Sequence, residues 1–142
     1  MPMIDIYAPK GLFKDPHALA QVAAKTVMTV EQVPPIRMFR ENTAGFVHEI
    51  DPSAYSNVDG ESDHVRVQVL TNQGALNRDQ QLALTAQLTD LIADTAGDAT
   101  LKDRTWVLLT EAEAGGWGLW GHAHTNEELV KEAQKRIANG EK

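Results

Sequence analysis

From the third residue onward apolar and polar side chains alternate: Ile4, Ile6 and Ala8 fall on one side, Asp5 and Tyr7 on the other. That is the period of a half-buried strand. Pro9 and Gly11 then turn the chain, and Asp15 before Pro16 reads as a helix cap followed by a first-turn proline. Leu19, Val22, Ala23, Thr26, Val27 and Val30 continue at helical spacing, which predicts one amphipathic helix. Pro34 and Pro35 close the connection. Ile36 to Arg40, β-branched, aromatic and long, predicts a second strand, with a further short strand over Phe46 to Ile50. Residues 51–63 are rich in turn formers and lack a sustained apolar period, so they read as a connecting loop.

The same order then recurs. Val65, Val67 and Val69 alternate with Arg66 and Gln68, Gly74 turns the chain, and Asn77 with Gln80 has the spacing of a capping box. Leu84, Leu88, Leu91 and Ile92 give the next helix its buried stripe, Gly97 ends it, and Thr105 to Thr110 reads as another strand. Two strand–helix–strand units, about 2–50 and 64–112, predict right-handed crossovers and an α+β domain: a four-stranded sheet with both helices on one face. Residues 113–142 add a glycine-rich hairpin around Trp117 to His122, and a last helix capped by Thr125 and Glu128 with a narrow stripe of Leu129, Ala133 and Ile137. That stripe suits docking on a partner or covering an edge.

The length of 142 residues and 42% apolar content fit a single domain with a real core. A net charge of -7 argues against nucleic acid, whose binders cluster Lys and Arg. No apolar run approaches the roughly 20 residues of a membrane span, and no secretory leader pattern is present, so a cytoplasmic, membrane-free protein is expected. Cysteine is absent, which removes thiolate metal sites and cysteine nucleophiles. No Walker loop, dinucleotide fingerprint or serine elbow occurs, and no cofactor is expected.

A proline directly after the initiator, the tandem units, and Thr105-Trp-Val-Leu-Leu-Thr-Glu111 followed by Gly115-Gly-Trp-Gly-Leu119 resemble the tautomerase superfamily, in particular double-length relatives of 4-oxalocrotonate tautomerase. The resemblance covers about residues 2–122. It implies that Pro2, freed of Met1, is a catalytic base in keto–enol tautomerisation of a small 2-keto or enol carboxylic acid. An α-amino group has an ordinary pKa of about 8, and apolar walls can bring it to the free base near neutrality. While Met1 remains attached the Pro2 nitrogen is a non-basic amide; removal of Met1 is expected because proline at position two permits it. Other readings of the fold are a ligand-binding module without turnover, and water addition or dehalogenation on an unsaturated acid.

A substrate carboxylate calls for an arginine fork. Arg40 and Arg37 are the first candidates; residues three apart on a strand face opposite ways, so only one of them is expected on the pocket face, and Arg40 is preferred, with Arg66 the next. Trp117 matches the family's apolar pocket wall. The chain departs from the family where a first-turn arginine would be Leu12, with Ala75 at the equivalent second place and Trp106 on the fourth strand, which makes a diacid substrate doubtful. Lys10, Lys14 and His17 lie near the first turn as alternative cations. His122 and His124 would share a strand face, but with only His48 as a suggested third ligand no metal is expected. Glu111 and Glu113 read as a solvated turn. The resemblance also implies a homotrimer, in which neighbouring subunits complete each pocket.

Overall fold

The alternation at the N-terminus produces β1 (Met3–Pro9), whose Ile4, Ile6 and Ala8 are fully buried. A computed structural model describes residues 1–142. After β1 come α1 (Pro16–Glu31), α2 (Arg37–Glu41), β2 (Ala44–Ile50), β3 (Val65–Asn72), α3 (Arg78–Ala96), β4 (Thr105–Ala112), β5 (Trp117–Leu119), β6 (His122–His124) and α4 (Asn126–Ala138). Short 3-10 turns occupy Pro52–Ala54 and Ala99–Arg104. No helix is long and apolar enough to cross a membrane.

The four-stranded sheet runs β2-β1-β3-β4. Each unit pairs its own two strands in parallel, and the units join antiparallel through β1 and β3, with Met3 opposite Leu70 and Ile6 opposite Val67. The main core lies between this sheet and the two long helices: Ile4, Ile6, Val65, Val67 and Val69 meet Leu19, Ala23 and Val27 of α1 and Leu84, Leu88 and Ile92 of α3. Burial of each such aliphatic side chain is worth about 1.5–3 kcal/mol. The caps match their sequence signals. Asp15 accepts from Ala18 N–H, and both capping boxes, Asn77 with Gln80 and Thr125 with Glu128, are formed.

The strand expected over Ile36–Arg40 is instead the short helix α2, and the second strand begins at Ala44. Local hydrogen bonds decide this. Phe39 and Arg40 amides donate to the Ile36 carbonyl, while the side chains of Asn42 and Thr43 return to the carbonyls of Met38 and Phe39. Such side-chain bonds compete with a sheet ladder. The Glu141 carboxylate also accepts Met38 N–H at 2.8 Å, so the C-terminus braces α2. On β2, Gly45 lies where a side chain has no room: a Cβ there would come 2.4 Å from the Ala20 carbonyl oxygen, so glycine permits α1 to seat on β2.

A second apolar cluster lies at the end of the sheet nearest the N-terminus. It gathers Met1, Ile36, Met38, Trp117, Leu129 and Ala133. Hairpin β5–β6 and helix α4 therefore cover the chain terminus rather than projecting as an arm.

Candidate active site

The β1–β3 register carries the N-terminus to the far end of β3, beside Asn72. Met1 is only 2% exposed, and its ammonium nitrogen lies 3.7 Å from Oε1 of Glu31, the last residue of α1. Both groups open onto a cavity of about 390 Å³ whose other walls include Phe39, Asn72, Gln73, Leu129 and Ala133. Burial pushes the Met1 amine below its ordinary range, against the opposing attraction of Glu31. Burial likewise pushes the Glu31 carboxyl up, against the attraction of the amine. Desolvation thus brings the amine and the carboxyl toward one another in proton affinity.

Two buried atoms at this cavity lack a hydrogen-bond partner: Oε2 of Glu31 and Nδ2 of Asn72. An orphaned buried polar group costs about 1–3 kcal/mol. Both belong to residues that line the cavity, an unpaired acceptor and an unpaired donor that a polar ligand reaching them would satisfy.

Of the residues singled out in the sequence, Pro2 follows Met1 in the chain and Trp117 packs with Met1, but neither lines the cavity itself. Pro2 is buried, its carbonyl accepting Ala44 N–H at 3.2 Å, and Trp117 packs in the cluster around Met1. The arginines lie elsewhere. Arg37 is exposed and paired with Glu41 at 2.6 Å. Arg40 donates to the carbonyls of Pro35 and Lys142 and lines a separate cavity of about 440 Å³ with His17 and Lys25. Arg66 stands on the open face of the sheet, 5.3 Å over the Tyr7 ring. Arg37 and Arg40 lie on a helix rather than a strand, so the alternation argument that only one of them shares the pocket face falls. Glu31 is the one ionisable side chain lining the N-terminal cavity.

His48 is not a third ligand to His122 and His124; it hydrogen-bonds Asp5 at 2.6 Å on the sheet. Glu111 is not merely solvated, since it accepts Gly74 N–H at 3.2 Å. Glu31 and Asn72 were missed by sequence reasoning, though each left a signal. An acid at a helix C-terminus opposes the helix dipole, and asparagine is disfavoured in a strand.

No family model and no curated protein matches this chain. Solved structures do. F6 fused 4-OT, an asymmetric trimer, shares 19% identity over 89% of this chain and 98% of its own, with a TM-score of 0.72. N1, a member of the cis-3-chloroacrylic acid dehalogenase family, shares 15% over 96% and 99%, at 0.70. FG41 malonate semialdehyde decarboxylase inhibited by 3-bromopropiolate shares 17% over 92% and 96%, at 0.67. The chain shares its fold with these solved structures. Its two strand–helix–strand units in one chain align with 98% of the fused 4-OT chain.

Proposed function

We propose that this chain, once Met1 is removed, is a keto–enol tautomerase in which the Pro2 amine is the base acting on a small 2-keto or enol carboxylic acid. The observation that carries the reading is the chain terminus, where the buried Met1 ammonium lies beside Glu31 on a cavity and burial pushes that amine below its ordinary range; the reading takes the Pro2 amine into the same surroundings once Met1 is gone. Removal of Met1 enlarges the cavity by the volume of that side chain and turns the Pro2 amide into a secondary amine. Pro2 then takes the enol O–H proton, protonated Glu31 delivers one to the substrate carbon, Asn72 Nδ2 donates to the developing enolate oxygen, and the proton on Pro2 passes back to Glu31 to reset the site.

The substrate carboxylate needs a cation that this cavity does not draw from its own chain. A homotrimer supplies a source. Phe46, Trp106 and Leu108 leave an apolar, exposed stretch on the open sheet face, which Arg66 shares, and association through that face is the proposed route by which a neighbour's arginine reaches the cavity. Arg37, exposed at the start of α2, is the other candidate.

Glu31 also favours a second reading, addition of water to an unsaturated acid with or without loss of halide. A carboxyl pushed up by burial activates water, and a protonated Pro2 delivers the proton to carbon.

Intact mass of cell-made protein, followed by assays of phenylpyruvate and 2-hydroxymuconate enols with wild type and Pro2→Ala, tests the proposal. Loss of Met1 and at least a tenfold drop in the variant support it. Processed protein inert on both enols but active on 3-chloroacrylates transfers support to the second reading, and retained Met1 removes the amine base altogether. A monomer by light scattering at micromolar concentration overturns the shared pocket.

A further inference from the structure

We propose that His122, His124 and Glu128 form a site for a divalent transition-metal ion of the zinc type, which clamps the β5–β6 hairpin to the first turn of α4. The sequence folds these three together for local reasons. Residues two apart on β6 project to the same side. Trp120 and Gly121, both at positive φ (54° and 74°), make a tight turn that keeps the ribbon short. The capping box at Thr125 starts α4 one residue after β6 ends and places Glu128 in its first turn. The two imidazole rings have centroids 4.7 Å apart.

The ligand atoms point inward. His122 Nε2 is 2.8 Å from Glu128 Oε2, and His124 Nδ1 is 3.6 Å from the same oxygen. One ligand atom from each residue lies within 4.8 Å of the others. Zinc bonds of about 2.0–2.2 Å in tetrahedral geometry set ligand atoms roughly 3.4 Å apart, so the His124 pair already has the spacing. The His122 pair needs to open by roughly 0.6 Å on that geometry, and the His122 side chain is 63% exposed and free to move.

The tautomer of His124 is the strongest point. Its Nε2 lies 2.9 Å from the Leu119 carbonyl, which can only accept, so Nε2 carries the hydrogen and Nδ1, directed toward Glu128, is the nitrogen left to ligate an ion. A backbone carbonyl behind a histidine is the outer support by which metal-binding imidazoles are oriented. The nearest guanidinium does not occupy the site: Arg136 lies 4.6 Å over the Trp120 ring and is bound to Glu132 at 2.7 Å. The other acid–histidine group, Glu61, Asp63 and His64, is less suited, because Arg104 already takes Asp63 at 3.3 Å.

The ion would tie together two elements that pack on Met1. His124 pairs with Trp117 across the hairpin, and Glu128 precedes Leu129 on α4; Trp117 and Leu129 both pack around Met1.

Calorimetry and equilibrium dialysis with Zn²⁺ on the tag-free, chelator-treated full chain test this. One zinc per chain is expected, weakened at least tenfold in His122→Asn and in Glu128→Gln, while His48→Asn binds as wild type. Gln serves a capping box as Glu does, so Glu128→Gln keeps the start of α4 and loses the anionic ligand. Zinc should also raise the melting temperature of wild type and not of Glu128→Gln. A wild type that takes up no zinc at micromolar concentration, or zinc that survives both substitutions, overturns the site.

Discussion

The two halves of the chain are built on one plan. Leu19, Ala23 and Val27 line α1 as Leu84, Leu88 and Ile92 line α3. Gly11 and Gly74 turn the chain at positive φ, and each donates its N–H to a glutamate on the partner strand, Glu49 at 3.4 Å and Glu111 at 3.2 Å. Both long helices end in a left-handed residue, Gln32 and Gly97. The halves part at the end of the helix: aligned on the buried stripes, Glu31 has Ala96 for its counterpart. They part again at the strand start, where β1 follows a chain terminus and β3 follows a loop. Folding needs are thus met twice, whereas the pieces of the proposed acid–base site occur once.

Removing that asymmetry should have the largest effect. Glu31→Gln gives the first half an uncharged helix end like the second, and we expect tautomerase activity to fall about 10³-fold, or roughly 4 kcal/mol in the barrier. The same variant reports on pH. A carboxyl pushed up by burial contributes stability that is full below its ordinary range and lost as pH rises through its folded value. Urea denaturation of the Met1-bearing chain should therefore show Glu31→Gln gaining on wild type as pH rises through that value. The Met1 amine, pushed down, has the opposite trend, losing its contribution as pH falls. A pH-independent difference would mean that Glu31 is not desolvated.

Packing of the helix on its outer strand is the next contrast. Gly45 on β2 lies opposite Ile4, and Val107 on β4 lies opposite Val67, so the two occupy matching positions. Only the first is pressed against a helix backbone. Gly45→Ala should destabilise by about 3 kcal/mol, lowering the melting temperature by roughly 10 °C, because backbone rather than a movable side chain must yield. Val107→Ala should cost about 1 kcal/mol as an ordinary partial truncation. Equal losses in thermal melts would show that α1 and α3 sit equally close to the sheet.

The plan itself was legible in the sequence because it repeats and because each long element carries its own signal: alternation in β1 and β3, buried stripes in α1 and α3, and three side-chain caps. What was not legible depended on contacts between distant residues. The strand expected at Ile36–Arg40 had strand-like side chains, and the bonds from Asn42, Thr43 and Glu141 that make it a helix are set by its surroundings. The expectation that only one of Arg37 and Arg40 shares the pocket face inherited that error. Glu31 was invisible as a site residue because only the register of β1 on β3 and the close of α1 bring it to the terminus. Glu128 escaped as a partner of the two histidines because its place in the capping box already accounted for it.

Asn72 sharpens the comparison at the strand ends. The corresponding end of β1 is Pro9, which has no side-chain donor, whereas Asn72 keeps a buried Nδ2 without an acceptor. Asn72→Leu removes that donor, and we expect kcat to fall about 10²-fold, near 2.7 kcal/mol, with stability rising by about 1 kcal/mol. Lost activity with lost stability would make Asn72 a packing residue.

The smallest effect concerns how the two helices stop. Gly97 takes its left-handed conformation freely at φ 66°, but Gln32 holds φ 60° with a side chain, and it borders the cavity beside Glu31. Non-glycine residues in that region are strained by roughly 1–2 kcal/mol, offset in part by the greater freedom glycine has in the unfolded chain. Gln32→Gly should therefore stabilise by about 0.5–1 kcal/mol in urea denaturation, while Gly97→Gln destabilises by a similar amount. If Gln32→Gly gains stability and loses activity, the strain at the end of α1 serves to hold Glu31 against the N-terminus. A gain with unchanged activity would assign the conformation to the route of the chain into Pro34 and Pro35 alone.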